Sequence, residues 1–266
     1  MQIIGHRGAR GLFPENTLAG IAATCAVGVD GIELDVRLTA DGVVVLHHDP
    51  QLDPAMTRTQ DGAWLTRPGA AIAATPWADL AAFDIGRAAP RSTLRRRFPH
   101  QRPADGSRIP RLDQILALRP RPALLIELKP ADPAALADAV ARLVPDMPDV
   151  TLESFDWRAL RHLQRTAPHL PLAWLTEAQH AAGAPERVAA EGGQTWCPSI
   201  RTLSRTLMRR AKAVGLRVIP WTVNAPSSMR RLLEWGADGL ITDYPDRARA
   251  VLAHAGLPLP VPIAVT

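Results

Sequence analysis

Glu33 and Asp35 stand two positions apart in the apolar run Gly-Ile-Glu-Leu-Asp-Val. A strand's side-chain period of two sends both carboxylates to the same face. The spacing recurs in Ile-Glu-Leu-Lys, where Glu127 and Lys129 share a face. Beyond Asp35 the chain reads Arg-Leu-Thr-Ala, reaches Asp41-Gly42, and returns as Val-Val-Val-Leu-His-His-Asp. Asp-Gly between β-branched runs predicts a hairpin. A two-residue turn pairs Ala40 with Val43 and Asp35 with His48, and directly opposed residues share a face. A one-residue bulge brings His47 into that slot instead, so counting leaves both histidines open.

Three carboxylates gathered in one place repel one another unless protonated or bound to a cation. All-oxygen ligation suits a hard divalent cation, Mg²⁺ or Ca²⁺, rather than zinc. Arg7 and Lys129 among those acids call for an anionic ligand, and a phosphate with a metal on one side and cations on the other balances every charge. His6 and one of the later histidines, with ordinary pKa values near neutrality, supply a general acid and a general base. The chemistry indicated is phosphoester cleavage. Each residue also has a plainer reading: an inward acid pairs with a basic neighbour, His47 and His48 before Asp49-Pro50 serve a turn, and Phe155 and Trp221 belong to a core. Glu153 has no face fixed by the pattern and no role.

Short apolar strands alternate with helical patterns and must position these groups. Strands are predicted at 2–5, 31–37, 123–129, 150–154, 172–176, 195–198, 217–222 and 239–242, with 43–47 as an extra return strand. Helices are predicted at 17–27, 133–144, 157–167, 184–191, 204–214, 226–235 and 247–253. Asn16 is the expected N-cap of the first helix, and Gly28, Gly215 and Gly236 the expected helix stops. Eight β-α units imply parallel pairing and a closed (β/α)8 TIM barrel. A doubly wound open sheet is the alternative, disfavoured because no Gly-rich dinucleotide fingerprint follows the first strand. The candidate residues fall at strand C-termini, the face that carries barrel active sites. From His48 to Leu112 the alternation fails. The expectation is one domain over 1–266, with an insertion after the second barrel strand at about 50–111 that sits over one end of the barrel.

The 266 residues are 47% hydrophobic, enough for a substantial core. No apolar run approaches a membrane span, and the N-terminus lacks a secretory pattern, so a cytoplasmic enzyme without stable membrane insertion is expected. Cys25 and Cys197 match no metal spacing and read as buried, reduced thiols. The net charge is +5, carried almost wholly by arginine. Arg87, Arg91, Arg95, Arg96, Arg97, Arg102, Arg108 and Arg111 cluster among prolines, as a solvated loop or a patch for anionic substrates or headgroups. No interleaved aromatics accompany them, which argues against nucleic acid.

Gly-His-Arg-Gly (Gly5 to Gly8), Pro-Glu-Asn-Thr (Pro14 to Thr17), Ile-Glu-Leu-Asp-Val, Leu-His-His-Asp, Ile-Glu-Leu-Lys (Ile126 to Lys129), Glu-Ser-Phe-Asp, Trp-Thr-Val-Asn (Trp221 to Asn224) and Gly-Ala-Asp-Gly-Leu-Ile-Thr-Asp (Gly236 to Asp243) follow in that order. The series resembles the glycerophosphodiester phosphodiesterase family over roughly residues 3 to 247. The resemblance implies a barrel with an insertion after the second strand, and metal-dependent hydrolysis of a small-molecule glycerophosphodiester to glycerol 3-phosphate and an alcohol. It implies Glu33, Asp35 and Glu127 as metal ligands, His6 and His48 as the acid-base pair, Arg7 and Lys129 on the phosphate, and Phe155 and Trp221 at the glycerol end. A phospholipase D-like barrel acting on lysophospholipids and a non-catalytic phosphate-binding barrel are the alternatives. The insertion, longer and richer in arginine than in compact bacterial relatives, bears on substrate choice.

Overall fold

A computed structural model describes residues 1–177 and 183–265. Its strands are β1 (Gln2–His6), β2 (Gly31–Leu38), β3 (Val44–Leu46), β4 (Ala123–Leu128), β5 (Val150–Ser154), β6 (Leu172–Thr176), β7 (Thr195–Pro198), β8 (Arg217–Val218) and β9 (Gly239–Thr242). Its helices are α1 (Leu18–Val27), α2 (Trp77–Leu80), α3 (Thr93–Arg97), α4 (Leu112–Leu116), α5 (Pro133–Leu143), α6 (Trp157–Thr166), α7 (Ala184–Ala190), α8 (Arg205–Ala213), α9 (Pro226–Glu234) and α10 (Pro245–His254).

The parallel sheet runs β8-β7-β6-β5-β4-β2-β1-β9, with β3 antiparallel on β2. Backbone bonds from Asp238 N to Val218 O (3.0 Å), Ile241 N to Pro220 O (2.9 Å) and Val223 N to Ile241 O (2.9 Å) join its two ends. The result is the (β/α)8 barrel. The predicted strand 217–222 contracts to Arg217–Val218, because Pro220 has no N–H to give and the chain beyond holds its neighbours by single bonds.

Alternation along β2 explains the site. Ile32, Leu34 and Val36 face outward into the large apolar cluster that also holds helix residues such as Leu136 and Val140 of α5. Glu33 and Asp35 therefore turn into the barrel. There Ile4, Leu125, Ala173, Leu175, Cys197, Ile219 and Ile241 form a separate apolar cluster. Cys25 and Cys197 are both free and buried.

Two local expectations are corrected. Thr17, not Asn16, caps α1, its hydroxyl accepting from Gly20 N at 2.9 Å. The hairpin register is one residue away from the two-residue count: Val36 pairs with Leu46, Arg37 with Val45 and Leu38 with Val44. Thr39 N donates to Val43 O (3.0 Å) and Gly42 N to Thr39 O (3.1 Å), closing a three-residue loop with Gly42 at φ 77°. That loop suits an Asp-Gly pair as well as the two-residue turn does. It puts His47 opposite Asp35, with His47 N donating to Asp35 O at 3.1 Å.

Residues 49–111 depart from the β-α alternation and, with Val45 of β3, enclose a separate apolar cluster of Leu52, Met56, Ile72, Leu80, Ile85 and Ile109. The short helices α2 and α3 lie in this segment, too brief to show a periodic pattern. It is fastened to the barrel beside the β1 and β9 ends. Gln101 Nε2 donates to the carbonyls of Arg10 (2.7 Å) and Phe13 (3.0 Å), and Phe98 meets Tyr244 edge-on at 6.3 Å. No helix among the described residues is long and apolar enough to cross a membrane.

Candidate active site at the mouth of the barrel

The chain leaves β1 through a left-handed turn, with Arg7, Gly8 and Ala9 at φ 51°, 71° and 58°. Two of these three carry side chains that disfavour the region, the kind of local strain that gathers at functional sites. The turn aims the Arg7 N–H at Glu33 Oε2 (2.9 Å) and folds the Arg7 side chain over the acids. Its Nε lies 2.9 Å from Asp35 Oδ2, and its Nη1 donates to Glu15 Oε1 at 2.8 Å. Asn16, also left-handed at φ 52°, donates from Nδ2 to the same Asp35 oxygen at 2.9 Å.

Register then gathers the acids. Asp35 pairs with Glu127 across β2 and β4, and Glu127 with Glu153 across β4 and β5. One oxygen from each of Glu33, Asp35 and Glu127 lies within 4.8 Å of the others. Lys129 Nζ reaches Glu127 at 2.7 Å and Asp35 at 3.4 Å. Burial pushes the Glu33 carboxyl well up, with the neighbouring acids adding to it. Glu127 rises to about 7 through burial, opposed by Lys129. Asp35 goes the other way: although burial opposes it, Arg7 and Lys129 hold it far below the usual carboxylate range. Glu33 Oε1 and Asp35 Oδ1 are buried without a hydrogen-bond partner. Oxygen donors that converge, repel and lack partners fit a hard divalent cation.

Two histidines flank the acids, each with an aspartate on Nδ1. His6 Nδ1 lies 2.6 Å from Asp243 Oδ1, and His6 Nε2 faces Glu33 Oε2 at 3.8 Å. Asp243 also accepts from Arg10 Nε (2.9 Å) and Asn224 Nδ2 (2.7 Å). Against its own burial, His6 and Arg10 hold it far below the carboxylate range. Burial and Arg10 bring His6 down to about 4, against the pull of Asp243. With Nδ1 engaged by Asp243, the His6 ring leaves Nε2 facing the acids. His48 Nδ1 lies 2.6 Å from Asp49 Oδ1, and about a third of its side chain is exposed.

His6, Arg7, Glu33, His48, Glu127, Lys129, Phe155 and Trp221 all line one cavity of about 520 Å³, with Asp35 fully buried beneath it. Phe155 and Trp221 meet edge-on, centroids 5.3 Å apart, and Lys129 Nζ sits 5.7 Å from the Phe155 centroid. A neighbouring cavity of about 670 Å³ shares Phe155, Leu175 and Glu177 with it. His48 enters the cavity from the loop after β3, although the observed register sets His47, not His48, opposite Asp35. His47 is buried away from it, with Nδ1 2.9 Å from Asp49 O. Sequence reasoning missed Asp243, Glu15, Asn16 and Arg10. All lie in or next to the recognised motifs, at strand ends or in the β1-α1 loop, and that placement was the available signal. Glu153 is buried and lines the cavity, raised to about 8 by burial and Glu127.

Residues 6–247 match the model of the glycerophosphoryl diester phosphodiesterase family. A glycerophosphodiester phosphodiesterase of Bacillus subtilis (strain 168) is 29% identical, over 91% of this chain and 83% of its own. A protein of Silicibacter pomeroyi DSS-3 assigned as a glycerophosphoryl diester phosphodiesterase has a crystal structure that superposes with TM-score 0.91 at 39% identity, covering 97% of this chain and 94% of that one. A phosphodiesterase of Oleispira antarctica, solved in complex with its product sn-glycerol-3-phosphate, superposes with TM-score 0.78 at 25% identity, over 95% and 97% of the two chains.

Proposed function

The chain belongs to the glycerophosphoryl diester phosphodiesterase family, and from that premise we propose that it hydrolyses glycerophosphodiesters to glycerol 3-phosphate and an alcohol. The reading is carried by one observation: three buried carboxylates with oxygens within 4.8 Å lie in and directly beneath a cavity lined by two histidines, each backed by an aspartate. The Oleispira antarctica neighbour, which holds sn-glycerol-3-phosphate as product, supports the same substrate class.

Glu33, Asp35 and Glu127 would hold a divalent cation, Mg²⁺ or Ca²⁺, which when bound supplies charge to the phosphoryl oxygens. Arg7 and Lys129 add fixed positive charge beside the same oxygens and orient the phosphate. The neutral His6 takes the proton of the attacking hydroxyl on Nε2, and Asp243 keeps its Nδ1–H in place and stabilises the imidazolium that forms. His48, oriented by Asp49, gives a proton from Nε2 to the departing alkoxide. The edge-on Phe155–Trp221 pair offers an apolar wall for the glycerol carbons.

The test is release of glycerol 3-phosphate from glycerophosphocholine with and without chelator. Turnover lost on chelation and restored by Mg²⁺ or Ca²⁺ is expected. No turnover of any of several headgroups after either ion is restored would overturn the proposal.

A further inference from the structure

The acids at the mouth of the barrel already have cationic partners in Arg7 and Lys129, whereas two further arginines at its rim have no acidic partner among the described residues. Glu33, Glu127 and Glu153 come from β2, β4 and β5, three consecutive strands on one side. Across the mouth, beside β7 and β9, the same cavity is lined by Arg201 and Arg97. Arg201 follows β7, and Arg97 ends α3, which the Phe98–Tyr244 contact holds against the segment after β9. Both side chains are exposed, and neither has a carboxylate partner among the described residues. From Pro90 to Ala104 the chain carries five arginines and no acid, so nothing local neutralises Arg97. It is instead held near a like charge: Arg97 and Arg10 both lie against the Phe98 ring, 5.2 and 5.3 Å from its centroid. Arg10 is committed to Asp243 and Glu15, whereas Arg97 has only the ring. Glu177, after β6, is an acid that lines both this cavity and the neighbouring one, and it forms no ion pair with either arginine. Guanidinium groups without a carboxylate partner suit oxyanions such as phosphate and carboxylate, which they can bind through two N–H groups at once.

Resting on the activity proposed above, we infer that Arg97 and Arg201 form a second anion subsite at the rim, selecting glycerophosphodiesters whose alcohol carries a further negative charge. A diester with its reacting phosphate over the acids on β2 and β4 extends one arm across the mouth, and the two arginines receive a phosphate or carboxylate on that arm. The preferred substrates are therefore polyanionic, such as diesters left by deacylation of multiply charged phospholipids.

The experiment compares bis(glycerophospho)glycerol, with two phosphodiester charges, against glycerophosphocholine, in which a cation offsets the single one. In Arg97→Ser/Arg201→Ser the ratio of kcat/KM for the first over the second is expected to fall by about tenfold, through KM, as for loss of charge-assisted contacts. Arg97→Lys/Arg201→Lys should recover part of that ratio. A ratio unmoved in the serine variant overturns the subsite while leaving the hydrolase reading intact. Calorimetric titration of bis(glycerophospho)glycerol into both proteins gives the answer independently of turnover. About tenfold weaker binding in the variant supports the subsite even if neither compound is cleaved, and equal affinities overturn it. Arginine-dependent sedimentation with phosphatidylglycerol vesicles, with no effect on the soluble dianion, overturns it in favour of a membrane-facing surface.

Discussion

At the scale of single residues, the site holds carboxylates in opposite states a few ångströms apart. Asp35 is kept ionised by Arg7 and Lys129, whereas Glu33 and Glu127 are pushed upward by burial. Protons and a divalent cation must then compete for the same oxygens. With Glu127 near 7 and Glu33 also raised, metal affinity is expected to increase as pH rises towards and through neutrality, since both must lose a proton to bind. Calorimetry in buffers of different protonation enthalpy should record proton release on binding, and its absence would refute the arrangement. Glu153 makes a separate prediction for chelated protein. Its folded value of about 8 exceeds the ordinary 4.5, so the native state binds the extra proton between those limits and stability falls as pH rises through them. Glu153→Gln should remove that loss and gain a few kcal/mol at about pH 9 relative to about pH 5, read from denaturant midpoints. Asp243 acts through His6. Asp243→Asn deprives the Nδ1–H of its ionised acceptor, so kcat should fall by about 10³-fold with the fold retained by circular dichroism. A kcat within twofold of the parent would remove Asp243 from the reaction.

At the scale of elements, the β1-α1 loop separates structural from functional roles in adjacent residues. Thr17 caps α1, and Asn16 reaches from a left-handed backbone to Asp35. Thr17→Ala should cost about 1 kcal/mol of stability, seen in urea unfolding, with little change in metal affinity. Asn16→Ala should weaken metal binding by about 10- to 100-fold, as removal of a partner that orients a ligand does. If the two substitutions have interchangeable effects, the division is wrong. The sequence made the acids legible because period-two alternation is rigid: once Ile32, Leu34 and Val36 face the helices, Glu33 and Asp35 have no other side to take. The register of the hairpin was not legible in the same way. Asp41-Gly42 fits a two-residue turn and a three-residue loop, and only the bonds from Thr39 and Gly42 decide between them. Asn16 was read as a cap because amides favour that position, and its long-range bond to Asp35 leaves no local trace.

For the whole molecule, the eight β-α units announced a barrel through strand and helix periods, whereas residues 49–111 gave little beyond turn residues and arginine. Their apolar residues are scattered, since Leu52, Ile72, Leu80 and Ile109 meet only in three dimensions. That cluster is distinct from the one between strands and helices, so the segment can loosen without the barrel unfolding. Several contacts tie it to the mouth: the buried amide of Gln101 serves the carbonyls of Arg10 and Phe13, Arg102 N donates to Leu12 O at 2.8 Å, and Phe98 packs against Tyr244 and Arg10. Gln101→Leu keeps most of the volume but strands both carbonyls, at about 1–3 kcal/mol each where they stay dry. Because that cost falls on the junction, hydrogen exchange should quicken over residues 90–104 and the β1-α1 loop, with β4 and β5 protected as before. The same loosening frees Arg97 from its place beside Phe98, so KM for a polyanionic diester should rise while the melting temperature of the barrel changes little. Uniformly faster exchange across all strands would mean that the insertion and the barrel unfold as one unit.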